Sequence, residues 1–590
     1  MTPWRRGPTG GIERLMSTKA WRRAAGYLGP EDERWGVILL LALVVGLLAG
    51  GSAVALRSVV HLVFQGLETL RESWWGPVLP AIGAAAGVAI VSLIFREAPG
   101  HGVPEVIRAV CRDGGRMRRR SMFSRWMGSL VNVSSGGSAG LEGPIVFSGA
   151  AVGSFLGSAC RLDERRRTVL LACGAAGGIA AVFNAPMTGM IFAMEIVLAE
   201  WSAFSILPVV MSAVAATELS RIWLGDIQPL SHAPFAMGIP DLLACGVLGV
   251  LAGFVSVALV RSVGLVHRAT LRLPGAPLAA PVLCGLLVGV IGMAYPGAIG
   301  EGYGAARAAI HSELGPGLIF CLGLALAKLA ATGLTMGSGA PGGLFAPSLV
   351  VGSVVGVGFG RALTAFLPGS LAFAVEGSFG LVGMSGLVAG VMHAPLTGIF
   401  LVMELTAGYD VVLPLMIVST LSLVVVRRFE RYSPYTIELA ESGDLLRPGT
   451  DRRVLADVRV SETLDADATP VPDSMTLAAF AEVVTTSQRN HFPVLRAETQ
   501  EFAGILELVH VRALLLDPAV ARVTLVGTVM DPDVPRIPLD ASLADAMDVF
   551  GRTGAWVLPV VDGKRFAGLL SKSSLFDHYR RELVAQQQSS

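Results

Sequence analysis

Apolar and polar positions along this chain fall in long blocks rather than in the short periods of a soluble core. Apolar runs cover about 37–66, 77–96, 144–160, 168–198 and 203–222, then about 239–267, 278–295, 316–334, 344–366, 373–405 and 410–426. A bilayer core takes about 20 apolar helical residues to cross. Several runs are shorter, or are cut by Gly and Pro, so the pattern predicts broken helices beside straight spans. The run Val37 to Leu56 is long enough to span and reads as a membrane helix, not a cleavable signal peptide. Ahead of it, residues 1–35 carry Arg5, Arg6, Lys19, Arg22 and Arg23 among apolar residues, as a cytoplasmic segment lying at the interface would. Basic clusters at Arg112 to Arg120, Arg161 to Arg167 and Arg427 to Arg431 predict cytoplasmic turns, with both termini on that side.

After Tyr435 the pattern changes. Glu441 to Arg453 is a polar linker containing Pro448 and Gly449, and the remainder of the chain looks soluble. Two helix-like runs, Leu477 to Val484 and Leu543 to Phe550, each precede short apolar strands, which predicts paired α/β modules. Phe492-Pro493-Val494-Leu495 is echoed by Leu558-Pro559-Val560-Val561, and Phe502-Ala503-Gly504-Ile505-Leu506 by Phe566-Ala567-Gly568-Leu569-Leu570.

The apolar part repeats itself too. Phe183-Asn184-Ala185-Pro186-Met187-Thr188-Gly189 through Glu195 returns as Met392-His393-Ala394-Pro395-Leu396-Thr397-Gly398 through Glu404, an offset of 209. Pro144, Gly153 and Gly157 match Pro347, Gly356 and Gly360 at an offset of 203. Two homologous halves with breaks at matching places are the pattern of repeat-built transporters, whose sites sit at the repeat interface near the midplane.

Composition narrows the class. The chain has 590 residues, 53% hydrophobic and 15% charged, with mean hydropathy +0.62 and 71 glycines. This fits a polytopic membrane protein whose small residues let helices approach closely. A net charge of +1 argues against a nucleic-acid partner. Cys111, Cys160, Cys173, Cys245, Cys284 and Cys321 lie in or beside apolar stretches without CxxC spacing, and read as buried small residues rather than disulfides or metal ligands. No P-loop, HExxH or GxSxG is present, so pump, hydrolase and other enzyme readings lack a motif.

The chemistry concentrates in Gly136-Gly137-Ser138-Ala139-Gly140-Leu141-Glu142-Gly143-Pro144. Non-helical backbone at membrane depth is tolerated only where protein buries it or where it lines a polar cavity. A lone intramembrane carboxylate is costly and marks a functional site. Pro144 suits the first turn of a new helix. The stretch therefore predicts a half-helix whose N-terminal amides face a polar spot beside Glu142, where an anion can bind.

Four segments resemble those of the CLC family of chloride channels and chloride/proton exchangers. Gly100-His101-Gly102-Val103-Pro104-Glu105 is similar to its GSGIPE motif, Gly140-Leu141-Glu142-Gly143-Pro144 to GREGP, and Gly342-Gly343-Leu344-Phe345-Ala346-Pro347 to GGxFAP; Tyr435 matches its central tyrosine. The tail resembles a tandem CBS pair. The resemblance implies an all-α membrane domain of two inverted repeats with broken helices (36–440), after a cytoplasmic segment (1–35). A linker (441–453), two α/β CBS modules (454–520 and 521–583) and a short tail (584–590) complete the chain. It also implies a homodimer with an anion pathway in each subunit, lined by His101, Gly102, Val103, Glu142, Gly143, Leu344, Phe345 and Tyr435. Helix-end partial charges suit a pathway that an ion must also leave. Glu142 then gates: charged, it occupies an anion site; protonated, it swings aside.

The chain departs from the family pattern in places. Leu141 stands where the motif has arginine, which removes positive potential at the outer mouth. His101 stands for a serine; a neutral imidazole N–H replaces its hydroxyl, or the ring charges at mildly acid pH and binds the anion more strongly. Ile196 occupies the position of the internal proton glutamate, so a channel-like conductor of chloride or similar anions is expected. A chloride/proton antiporter relaying through Glu195 is the alternative, although the matching Glu404 suggests that both glutamates are structural. Tyr435 and the GGLFAP motif stand against a fluoride exporter. A membrane receptor sensing through its CBS pair would be the reading from another class. No cofactor is expected beyond the transported anion, save an adenine nucleotide at Ser571, where Ser574 replaces the expected Asp. The expected location is the plasma or inner membrane.

Overall fold

The computed structural model describes residues 32–579 apart from 226–237, 273–277, 316, 367–373, 407, 443–444, 446–454, 456–457, 466–467 and 488. Most of the expected N-terminal segment and linker, and the last residues, lie outside this set. Two compact units divide at Leu445/Leu446.

The first unit is helical: α1 (Asp32–Gly66), α2 (Glu68–Glu72), α3 (Val78–Ala89, extended by a π turn Ile90–Ile94), α4 (Val103–Cys111), α5 (Ser121–Ser134), α6 (Glu142–Ala159), α7 (Glu164–Phe183), α8 (Pro186–Phe192, extended by a π turn Ala193–Leu198) and α9 (Ala203–Leu224). The second half runs through α10 (Ile239–Thr270), α11 (Ala279–Ala294), α12 (Tyr303–Ile310), α13 (Leu318–Gly337), α14 (Phe345–Phe366), α15 (Glu376–Met392), α16 (Pro395–Thr406), α17 (Val412–Phe429) and α18 (Ile437–Glu441). Among the described residues seven helices are long and apolar enough to cross a bilayer. Leu243, Leu287, Val290 and Ile319 on outer helix faces are exposed, as lipid-facing residues are.

The breaks fall where Gly, Pro and the repeat put them. The runs 168–198 and 373–405 each divide, at Asn184–Ala185 and His393–Ala394. Asn184 and His393 close α7 and α15 in the left-handed conformation, at φ 55° and 57°. Pro186 and Pro395 then open α8 and α16, at a position where a missing N–H costs nothing. Five of these helices escaped the hydropathy pattern: α2, α4, α5, α12 and α18. In α5 the reason is plain, since Ser124, Arg125, Ser129 and Asn132 are buried and bonded inside the protein, so the helix looks polar yet faces inward.

Within each half, a glycine lets two helices approach in the same way. A methyl added to Gly153 would lie 1.9 Å from the Leu170 carbonyl oxygen, and one on Gly356 would lie 2.0 Å from that of Phe379. These contacts pack α6 on α7 and α14 on α15, and they repeat at the offsets 203 and 209 read from the sequence. Backbone cannot yield as a side-chain tip can. Gly153→Val and Gly356→Val should therefore each cost at least about 1–3 kcal/mol, with matched losses of monodisperse protein in detergent.

In the second unit, two three-stranded sheets share one topology: β1 (Val471–Pro472), β2 (His491–Leu495) and β3 (Phe502–Glu507), then β4 (Ile537–Pro538), β5 (Val557–Asp562) and β6 (Arg565–Ser571). In each, the first pair is parallel and the second antiparallel, with an irregularity at Val494/Leu495 and Val560/Val561. Packing cuts across the expected boundary at 520/521. Leu455, Val458 and Val460 pack into the core of the second sheet, whereas Ala521 and Val526 pack into that of the first. Each module thus borrows a segment adjoining the other, because neither three-stranded sheet covers its apolar face alone.

Candidate functional site

Both glycine-rich breaks meet at one point. Gly140 and Gly343 form an isolated antiparallel bridge, the Gly140 amide donating to Gly343 at 2.8 Å and the Gly343 amide to Gly140 at 2.7 Å. This sets the N-termini of α6 and α14 side by side. Each half also satisfies the other's non-helical backbone. The Asn132 amide donates to the Pro341 carbonyl at 2.9 Å, and Thr335 Oγ1 accepts from the Ser138 amide at 3.1 Å. Asn132 and Thr335 are themselves 203 residues apart, as are Ser138 and Pro341. Unwound backbone at membrane depth survives because the partner repeat pairs it.

Glu142 opens α6 and is 2% exposed. Tyr303, in the first turn of α12, donates its hydroxyl to Glu142 Oε1 at 2.7 Å. The other oxygen, Oε2, is buried without a hydrogen-bond partner. It lies so close over Gly140 that a methyl there would stand 1.9 Å from it, and 3.4 Å from it if placed on Gly343. Gly143 meets the His101 carbonyl, at 2.8 Å from where its own methyl would be. The His101 ring stands edge-on to Tyr435, with centroids 6.0 Å apart, and His101 Nδ1 is buried and unpartnered. Gly102, at φ 86°, caps the start of α4, and Val103 is its first residue; Gly102 packs beside Phe147. Leu344 and Phe345 lie at the head of α14, fully buried, with Phe345 against Phe183 at 5.4 Å.

The sequence-predicted residues thus gather around the heads of three helices, α4, α6 and α14, whose first-turn amides lack intrahelical partners. An unpaired buried carboxylate oxygen and an unpaired buried imidazole nitrogen call for an ionic or polar occupant. Gly140→Ala should push the Glu142 carboxylate aside, because the intruding methyl meets the tip of a flexible side chain. Raised anion flux at neutral pH from proteoliposomes would show this; flux unchanged would show that Glu142 does not obstruct.

Glu195 and Glu404 are elsewhere, in a reciprocal pair of caps. Glu195 accepts from the amides of Leu396 at 3.1 Å and Thr397 at 2.8 Å, and from Thr397 Oγ1 at 2.7 Å. Glu404 accepts from the amides of Met187 at 2.9 Å and Thr188 at 2.7 Å, and from Thr188 Oγ1 at 2.6 Å. Each carboxylate thus caps the first turn of the other repeat's short helix. Ile196, buried beside Glu195, lies within the π turn. In the tail, the Ser571 hydroxyl is within 2.9 Å of both Ser573 and Ser574 hydroxyls and accepts from the Ser574 amide.

Two features escaped the sequence reading. Tyr303 was one, although Gly300-Glu301-Gly302-Tyr303-Gly304 is itself a glycine-rich break with an acid inside it. The other is Arg125, buried in α5, which bonds Glu105 at 2.7 Å and also donates to the Ala98 carbonyl. Lys328 is fully buried; its ammonium donates to the carbonyls of Gly300 at 2.8 Å and Ala298 at 3.2 Å.

The family profile described as voltage gated chloride channel matches residues 82–427, more than half of the chain. The chain belongs to the CLC family. The CBS domain profile matches residues 526–581, and with the duplicated sheet topology it makes the tail a CBS pair. A chloride channel protein described as ClcB-like, from Ralstonia nicotianae, is 34% identical over 395 residues, which is 64% of this chain and 90% of that one. The H(+)/Cl(-) exchange transporter ClcA of Vibrio cholerae is 33% identical over 404 residues, covering 65% and 84%. The solved structure of a slow cyanobacterial Cl-/H+ antiporter superposes with a TM-score of 0.63 at 24% identity, over 70% of this chain and 99% of that one, and shows the same fold. This CLC protein is therefore a multi-pass integral membrane protein of an anion-transporting family.

Proposed function

We propose that this CLC protein conducts chloride, or a similarly small anion, passively through one pathway in each subunit of a homodimer, with Glu142 as the gate. The observation that carries the reading is the buried Glu142 carboxylate, latched on one oxygen by Tyr303 and unpartnered on the other, among the heads of α4, α6 and α14. A charged carboxylate there takes the place of the anion. Leu344, Phe345, Gly102, Val103 and Gly143 offer main-chain N–H groups, while Tyr435 and His101 offer side-chain donors. Ile196 supports conduction without a proton, since an apolar side chain relays none, and the three donors on Glu195 favour a capping role for it. The positive-inside bias puts both termini in the cytoplasm, at the plasma or inner membrane, with the CBS pair there as a stabilising or nucleotide-sensing element.

A second reading, chloride/proton exchange by another internal relay, has support in the exchanger named among the relatives. Simultaneous chloride and proton recording on reconstituted protein separates the two. Conduction predicts a reversal potential that follows chloride alone; a shift with the proton gradient at fixed chloride would establish exchange. No anion flux would remove both.

A further inference from the structure

Beside the Glu142–Tyr303 contact lies a cavity of about 80 Å³, against about 10–15 Å³ for a single water. Leu141, Tyr303, Glu301, Arg57 and Arg307 contribute to its walls. Leu141 stands where the GREGP pattern would supply a cation, and the same cavity receives two guanidiniums from elsewhere, Arg57 on α1 and Arg307 on α12. Arg57 is fixed at the wall, its Nη1 donating to the Val182 carbonyl at 2.8 Å. Glu301 is the one carboxylate among these lining residues, and the Lys328 ammonium bonded to the adjoining Gly300 carbonyl offsets it. With the Glu142 carboxylate that Tyr303 holds beside the cavity counted as well, the two guanidiniums and the Lys328 ammonium outnumber the two carboxylates, which leaves a positive excess.

Tyr303 joins this cavity to the gate. Its single O–H serves one acceptor at a time, and here that acceptor is Glu142 Oε1. Once Glu142 leaves the pathway, the hydroxyl is free to turn to an anion in the cavity. We propose that this cavity is a second anion site, taking a small monovalent anion of halide size, held by Arg57 and Arg307, with the Tyr303 hydroxyl serving Glu142 and that anion in turn. The site rests on the reading of Glu142 as the gate of an anion pathway. It restores at the mouth the positive charge that Leu141 omits.

Bromide is the probe. Crystals of the full chain soaked in bromide should give an anomalous peak in the cavity and another beside Tyr435. In Arg57→Gln/Arg307→Gln protein the cavity peak should vanish while the one beside Tyr435 stays, which also shows that the variant is folded. In proteoliposomes the same variant should raise the half-saturating chloride concentration on that side about tenfold, equivalent to about 1.4 kcal/mol, with maximal flux changed less than the affinity. A peak beside Tyr435 with none in the cavity would overturn the second site and leave the gate standing. So would a cavity peak that survives the double substitution, or one lost without any change in half-saturation, which marks an adventitious ion only. Peaks at neither place would overturn the gate reading itself.

Discussion

Glu142→Gln is expected to abolish the pH dependence of anion flux and to raise flux at neutral pH by about tenfold, the effect of removing about 1.4 kcal/mol of competition. The amide has the shape of the carboxylate and can still accept from Tyr303, so the pocket around it need not change. What it lacks is charge. An ionised carboxylate among helix N-termini occupies the electrostatic minimum that the anion needs, whereas a neutral amide does not. Protonating wild-type Glu142 has the same effect, so wild-type flux should climb toward the variant's level as pH falls. Chloride efflux from proteoliposomes across a pH series measures both. A variant that keeps the wild-type pH profile would move the gate to another group.

The second large effect is structural. Glu195→Ala and Glu404→Ala each remove a carboxylate that receives three hydrogen bonds from the opposite repeat. Thr188 and Thr397 are fully buried, so their amides and hydroxyls lose their partners out of reach of water, while the amides of Met187 and Leu396 lie on more exposed residues. Hydrogen bonds to a charged group contribute about 1.5–3 kcal/mol each and partly overlap in effect, so a loss of about 2–4 kcal/mol per variant is expected. Thermal unfolding in detergent should show two equal drops, because the contacts mirror each other. Equality discriminates between roles: a proton relay at Glu195 would make Glu195→Ala change proton coupling while Glu404→Ala left it alone. Two caps predict the same loss of stability from both.

The repeat made much of the site legible in advance. Offsets of 203 and 209 counted along the chain return as Gly153 on Leu170 and Gly356 on Phe379, and as the exchanged caps of Glu195 and Glu404. The helix breaks were legible because glycine, proline and a lone acid interrupt apolar sequence only at a cost, so their clustering announces polar surroundings. Helix α5 was not legible, since its serines, Asn132 and Arg125 break up any apolar run and the groups that bond them come from elsewhere in the chain. Tyr303 was hidden for a related reason: 161 residues separate it from Glu142, and no local pattern records a contact that α12 makes only after the halves close.

By itself the sequence determined the membrane class, the duplicated architecture, the breaks at the repeated motifs and the identity of the acid at the candidate gate, because hydropathy and backbone chemistry act over neighbouring residues. Tertiary structure alone decided which donor holds that acid, which carboxylates cap which helices, and that Arg57 and Arg307 line one cavity. Those outcomes depend on packing two halves face to face. Distances across such an interface arise from shape and close approach of backbone, neither of which is written in any short stretch of the chain.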